Sequence, residues 1–231
     1  MKRSIKTLYL VIMLVLIGSV SLGIIIKKSF INDVHIDNIS KKFEESNVSI
    51  SEEDEFTKTY FQNNITNLKD LINKSDLIIK GTVNTNRKML NQSILTEIQI
   101  QDIYKNDSNQ KLKDSLYIFE PTYFNFDTYI VQSGYNIMKT KNQYVLFLKR
   151  IKVPDNYKYK GKEEITYVPV STYYGKYPTN NKKITKLISN NEKDNSTLTY
   201  HQIEDYEVLT SNEQILNKFL EIKHDVKQNF K

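Results

Sequence analysis

Cysteine and tryptophan are absent from this sequence, and glycine, proline and histidine are scarce: six, four and three residues in 231. Without cysteine there is no disulfide framework, no thiolate metal site, no cysteine nucleophile and no lipobox cysteine to carry a lipid. A cysteine-free chain is compatible with an extracytoplasmic site that does not rely on disulfides. The usual catalytic signatures are missing too. There is no G-x-S-x-G, because Ser133-Gly134 lacks the first glycine at the required offset. There is no P-loop and no dinucleotide fingerprint. His35, His201 and His224 are too dispersed to form an H-x-x-x-H pair. Carboxylates are plentiful, but nothing in their spacing singles out an acid/base pair. The expectation is therefore a non-enzyme with no metal and no cofactor.

Positive charge is also scarcer than the total suggests. The formal net charge is +6, but Lys2, Arg3, Lys6, Lys27 and Lys28 supply five of those charges with no acid among residues 1–28. The remaining chain carries +1, so bulk charge does not point to a nucleic-acid partner. Asparagine is abundant, so N-x-[ST] matches at Asn38, Asn64 and Asn195 are expected by chance.

Residues 7–26 hold no charge at all. As a helix they span roughly 30 Å at about 1.5 Å per residue, the thickness of a bilayer's hydrocarbon core. Cations flank both ends. A cleaved signal peptide needs a shorter apolar run of roughly 7–15 residues and a small-x-small site, for which Ser19-Val20-Ser21 would serve. The run continues through Ile24, Ile25 and Ile26, and that length favours an uncleaved membrane anchor, with secretion after cleavage as the alternative. The three cations before the helix favour a cytoplasmic N-terminus. Residues 1–28 are thus read as a cytoplasmic stub and transmembrane helix, and residues 29–60 as a tether. The acidic run Ser51-Glu-Glu-Asp-Glu55 lacks the glycine turn of a cation loop and reads as solvated chain.

Beyond residue 60 the periodicity changes. Residues 65–73 read as a short amphipathic helix through Ile65, Leu68, Leu71 and Ile72. Leu77, Ile79 and Val83 share one face of a first strand, with Gly81 marking a bend or close approach. Residues 84–91 read as a turn. Residues 94–104 alternate as a second strand, whose parity break at Ile103 calls for a bulge near Gln101–Asp102. Residues 115–120 form a third strand, which Pro121 stops. Residues 122–142 read as irregular and aromatic. Residues 143–149 are apolar on both faces, as expected of a central strand. A fifth strand runs from 165 to about 170 and continues irregularly to 177. Residues 180–195 read as a mobile polar loop. At the C-terminal end, Ser211-Asn-Glu-Gln214 has the form of a capping box. It precedes the helical stripe of Ile215, Phe219, Ile222 and Val226, expected to dock on the β domain.

The short helix, S-D-L-I-I-K-G-T-V from Ser75, I-Q-D-I-Y-K-N-D from Ile100, G-Y-N-I-M-K-T-K-N-Q-Y-V-L-F-L-K from Gly134 and Y-Y-G-K-Y from Tyr173 together form a pattern. It resembles a group of uncharacterised secreted or membrane-anchored proteins of low-GC Gram-positive bacteria. More distantly, it is similar to the netrin-like domain of tissue inhibitors of metalloproteinases. The resemblance implies an OB-like five-stranded barrel at residues 61–178, with a polar loop and docking helix at 179–231. The fold class is then mainly β with flanking helices, α+β. The zinc-chelating N-terminal cysteine of those inhibitors has no counterpart here, so their mechanism is not implied.

One cluster stands out as a candidate contact surface. Lys149, Arg150, Lys152, Lys158, Lys160 and Lys162 interleave with Tyr157 and Tyr159, and Tyr173, Tyr174 and Tyr177 follow. Aromatic faces beside cations can stack on rings and hold anions, and an OB-type barrel uses its faces and loops for binding. The plain alternative is a solvated hairpin loop, since Glu163 and Glu164 dilute the charge. The contact residues singled out are Arg150, Lys152, Tyr157, Lys158, Tyr159, Lys160, Lys162, Tyr173 and Tyr174. The leading expectation is a membrane-tethered extracytoplasmic binding module for an envelope polymer or protein partner. The alternatives are an envelope enzyme, or a structural or immunity-type membrane protein acting through its anchor.

Overall fold

The structure is a computed structural model. It describes residues 2–31, 43–51, 53–90, 92–107, 111–151, 166–180, 188 and 198–230. The chain divides into two compact units, residues 1–34 and 35–231.

The first unit is one helix, α1 (Lys2–Ile31). The described side chains on it, residues 9–24, are all exposed, Leu10, Met13, Leu14, Val15 and Leu16 among them. Among the described residues no helix is long and apolar enough to cross a membrane. The side chains described on α1 stop short of both ends of the uncharged run 7–26.

The second unit is mainly β and is built on a closed five-stranded, OB-like barrel. Its strands are β2 (Leu77–Leu90), β3 (Ser93–Asn106), β4 (Ser115–Glu120), β7 (Gln143–Arg150) and β8 (Thr166–Pro169). Around the barrel the order is β2-β3-β4-β8-β7, and β2 pairs back onto β7 to close it. All of these pairings are antiparallel except β4 with β8, where Tyr117 faces Thr166 and Ile118 faces Tyr167. A closed barrel has no edge row of unpaired amides to attract another chain. Leu77, Ile79, Ile98, Leu116, Ile118 and Leu146 fill its interior, and Met138 packs with them. Gly81 is a close approach, as its place in the strand suggested: a Cβ there would meet Ile98 and, at 3.0 Å, the carbonyl of Gln99.

β9 (Lys176–Pro178) lies along the same edge of β7 as β8 does. Val170 N–H donates to the Phe147 carbonyl and Phe147 N–H donates to Gly175, both at 2.9 Å. The fifth strand is therefore interrupted by a short excursion at 171–174, which accounts for the irregular continuation in the sequence. Asn63 pins the excursion, its Oδ1 accepting from Ser171 Oγ, Thr172 N–H and Thr172 Oγ1.

Ile78 of β2 and the odd residues of β7 point outward under helices. Ile78, Val145 and Phe147 pack with Leu68 and Leu71 of α3 (Leu68–Lys74) and with Phe219, Ile222 and Val226 of α5 (Glu213–Asn229). Each such buried side chain contributes about 1.5–3 kcal/mol. The expected C-terminal stripe thus docks on the barrel. Its cap differs from the expectation: Asn212, not Ser211, accepts from Gln214 N–H (2.9 Å) and Ile215 N–H (3.3 Å). An asparagine amide oxygen serves this role as well as a serine hydroxyl.

Three other expectations are revised and one is borne out. β2 does not end at residue 83 but runs to Leu90, and the extra residues at 84–86 are absorbed as a register shift against β3. The expected bulge is present at Gln101, which has no partner between the pairs Lys80–Asp102 and Gly81–Ile100, and Ile103 remains half exposed. Residues 122–142 hold a hairpin, β5 (Thr122–Asn125) and β6 (Thr128–Gln132). β6 pairs in parallel with β1 (Asn47–Ser51), which lies in the stretch read as a tether. That stretch also contains α2 (Glu55–Tyr60), capped by Asp54. Short strands whose partners are far away in the chain leave little periodic signal in the sequence. The small sheet encloses its own aromatic cluster, with Phe124 and Tyr129 against Tyr200 of α4 (Tyr200–Ile203). Residues 181–187 and 189–197, most of the expected mobile loop, lie outside the described residues.

Candidate functional site

While the β2/β7 face is sealed by helices, the face over β4 and β8 carries a groove of about 650 Å³, within the range typical of ligand sites. Strand alternation builds its floor. Leu116, Ile118 and Glu120 of β4 are fully buried, so Phe119 faces out and is only half buried. Val168 does the same on β8. The walls come from two turns. Leu90, Gln92 and Ser93 form the β2–β3 turn, and Ile151 follows β7 at the start of the β7–β8 connection. Tyr60 and Phe61, where α2 ends, add aromatic surface, and Tyr60 is 48% exposed. Gln92, Ser93 and Gln132 supply hydrogen-bonding groups, and no charged side chain lines the groove among the described residues. In OB-type barrels the turns between strands one and two and between four and five, with the face of strands two and three, are the ligand-binding surface. The groove lies where the β2–β3 turn and Ile151, at the start of the β7–β8 connection, meet the third strand.

The sequence-predicted contact residues fall in several places. Lys152, Tyr157, Lys158, Tyr159, Lys160 and Lys162 lie outside the described residues. Arg150 is half buried at the end of β7, with its backbone N–H donating to Asp76 Oδ2 at 2.8 Å. It is next in sequence to the groove residue Ile151. Tyr173 and Tyr174 are on the excursion between β8 and β9. Tyr174 is 4% exposed and packs in the helix-covered core, where burial pushes its phenol up to about 12. It is a core residue and not an exposed contact. Tyr173 is half buried and lines a separate pocket of about 270 Å³ with Glu53, Thr210 and Asn212. The three described residues, Arg150, Tyr173 and Tyr174, therefore do not form one surface. Phe119 and Val168 were missed because each reads as one more apolar residue of a strand, and Leu90 because it falls in a stretch that reads as a turn. The available signal was the alternation of β4, which places Phe119 opposite the core face.

Chemistry-bearing groups are concentrated inside the molecule. Glu120, fully buried, accepts from Arg87 Nη2 (3.1 Å), Tyr135 Oη (3.1 Å), Met138 N–H (2.8 Å) and Thr96 Oγ1. Arg87 also donates to the Met138 carbonyl. Nearby, Lys176 Nζ donates to the Glu207 carbonyl at 3.0 Å and sits 4.7 Å over the Tyr135 ring. Burial brings this amine down to about 8, against the opposing pull of Glu120 and Glu207. The Glu207 carboxylate accepts from Lys223 at 2.7 Å through Oε1, while its buried Oε2 has no partner. These groups line none of the pockets described above and hold segments together. Among the described residues no cluster of three or more histidines and carboxylates is arranged to hold a metal ion. No family model matches the chain, and no curated protein is similar to it.

Proposed function

We propose that this chain is a membrane-tethered extracytoplasmic binding module, and that the groove over β4 and β8 takes an envelope polymer or a protein partner. The observation that carries the reading is the apolar groove bordered by the β2–β3 turn of an OB-like barrel and by Ile151, where the β7–β8 connection starts. Its lining of aromatic and aliphatic surface with a few amide and hydroxyl groups suits a ligand that combines apolar faces with neutral hydrogen-bonding groups. The tether part of the reading rests on the uncharged run 7–26, the cations that flank it, and the exposed apolar side chains of α1. The Lys- and Tyr-rich segment 152–162 begins one residue past Ile151 in the sequence, so an anionic polymer is within its chemical range.

The test is retention of envelope components by the full chain and two variants. One carries Leu90→Asp with Val168→Asp in the groove. The other carries glutamine at Lys152, Lys158, Lys160 and Lys162. The groove variant is expected to lose retention while its circular dichroism stays that of the wild type. If a folded groove variant retains as much as wild type, the groove is not the site. If only the glutamine variant fails, the cationic segment is the contact surface.

A further inference from the structure

The β5–β6 hairpin turns through two residues, Phe126 and Asp127, between the paired Asn125 and Thr128. Phe126 has φ 53, a left-handed conformation that this turn position normally gives to glycine. Its ring is 90% exposed, the highest value for a large apolar side chain among the described residues. A residue that is both strained and solvent-exposed gains nothing within the free molecule, whereas the residues behind it are firmly held. Phe124 and Tyr129 are buried, and Phe124 stacks on Phe43 at 4.7 Å.

Phe43, the first described residue after α1, lies beside this hairpin. Phe43 packs on the hairpin, and Asn47 N–H donates to the Asp127 carbonyl at 2.9 Å. Only residues 32–42 separate Ile31 from Phe43, a reach of at most roughly 40 Å at about 3.5 Å per residue. The turn's own residues surround Phe126 with polar groups, Asn125, Asp127 and Thr128. A protein interface needs an apolar core of several hundred Å², which one ring does not provide. Partition of one ring into the boundary between headgroups and acyl chains needs no such patch.

We propose that Phe126 is a membrane anchor, inserting its ring into the bilayer that holds α1 and fixing the hairpin end of the second unit to the lipid surface. This rests on the reading of α1 as a membrane helix. The Asp127 carboxylate at the tip favours zwitterionic headgroups over anionic ones.

Because the chain has no tryptophan, one introduced indole is a unique reporter. The full chain carrying Phe126→Trp, and separately Tyr9→Trp in α1, is reconstituted into phosphatidylcholine vesicles with brominated acyl chains. Both indoles are expected to be blue-shifted, with Phe126→Trp losing about half its intensity to the shallowest bromines, as a ring at the interface would. Quenching of Tyr9→Trp without quenching of Phe126→Trp overturns the anchor and leaves the membrane helix standing. No quenching of Tyr9→Trp overturns the membrane reading and the anchor with it. A Phe126→Trp blue shift that occurs in native membranes but not in pure lipid places the ring in a protein pocket and overturns lipid insertion.

Discussion

Two buried glutamates in this molecule, Glu120 and Glu207, differ in how completely their neighbours satisfy them. Glu120 collects four donors from β2, β3 and the 135–138 segment, and both of its oxygens are occupied. Glu207 pairs one oxygen with Lys223 and leaves the other without a partner. The cations do not repeat that contrast, since the buried Arg87 Nε has no hydrogen-bond partner. Arg87 gives its Nη2 to Glu120 and to the Met138 carbonyl, while Lys176 donates to the Glu207 carbonyl and rests on an aromatic face. Among the described residues, Glu120 and Glu207 are the buried carboxylates beside Arg87, Lys176 and Lys223. The first group has the form of a polar joint that ties β2, β3, β4 and the 135–138 segment into one register. The second holds the buried Lys176 amine by a carbonyl and an aromatic face and leaves Glu207 Oε2 unpaired, so part of its cost of burial is uncompensated.

The comparison is broken most severely by Glu120→Ala. Arg87 is 3% exposed at its side chain and would keep a buried charge with no counter-ion. The expected loss is about 3–5 kcal/mol, the usual cost of removing one partner of a buried pair. A denaturant midpoint that hardly moves would mean that water reaches Arg87.

Lys176→Met should act in the opposite direction. A fully buried amine brought from 10.5 to about 8 represents a penalty of roughly 3 kcal/mol below pH 8, at about 1.4 kcal/mol per pH unit. The lost hydrogen bond and cation–π contact offset about half of it. The variant is expected to gain about 1–2 kcal/mol at neutral pH. The pH dependence follows from proton binding. Between pH 8 and 10 the unfolded lysine holds a proton that the folded one has released, so wild-type stability rises with pH. The variant should lack that rise. Above pH 10 the sign reverses for a separate reason: Tyr129, Tyr135 and Tyr177, all raised by burial, stay protonated when folded and ionise when unfolded. A wild-type curve that is flat from pH 8 to 10 would contradict the assignment.

Tyr135 joins the two groups, its hydroxyl on Glu120 and its ring under Lys176. Tyr135→Phe removes only the first contact. The expected cost is about 1–2 kcal/mol, since Glu120 keeps its other donors. The pH dependence from Lys176 should remain in that variant, because the ring is retained. Losing both would mean that the two groups form one network.

Neither glutamate was legible in the sequence, for an identifiable reason. Arg87 sits in Thr-Asn-Arg-Lys, which reads as a polar turn, yet β2 continues through it and turns the guanidinium inward. A buried ion pair disguises interior positions as surface. The five barrel strands were legible because Leu77, Ile79, Ile98, Leu116 and Leu146 alternate or run continuously as core-facing residues do. β1, β5 and β6 were not: all three are short, β1 pairs only with a strand far along the chain, and the turn of the β5–β6 hairpin carries no glycine to mark it. The groove was half legible: the connection after Arg150 was singled out for its charges, but the apolar floor at Phe119 and Val168 carries no chemical signature in one dimension.

The smallest expected effect concerns the start of α5, just beyond Glu207. The sequence offers two adjacent caps, Ser211 and Asn212, and only Asn212 accepts the first free amides of the helix. Asn212→Ala should cost about 1 kcal/mol, whereas Ser211→Ala should stay within roughly 0.5 kcal/mol of wild type. The pair of variants isolates satisfaction from composition, as the two glutamates do on a larger scale. Both residues are polar and helix-adjacent, and the difference lies in whether an N–H is waiting for the oxygen. Equal effects, measured by thermal unfolding, would mean that the first turn of α5 frays and that the apolar stripe alone holds the helix on the barrel.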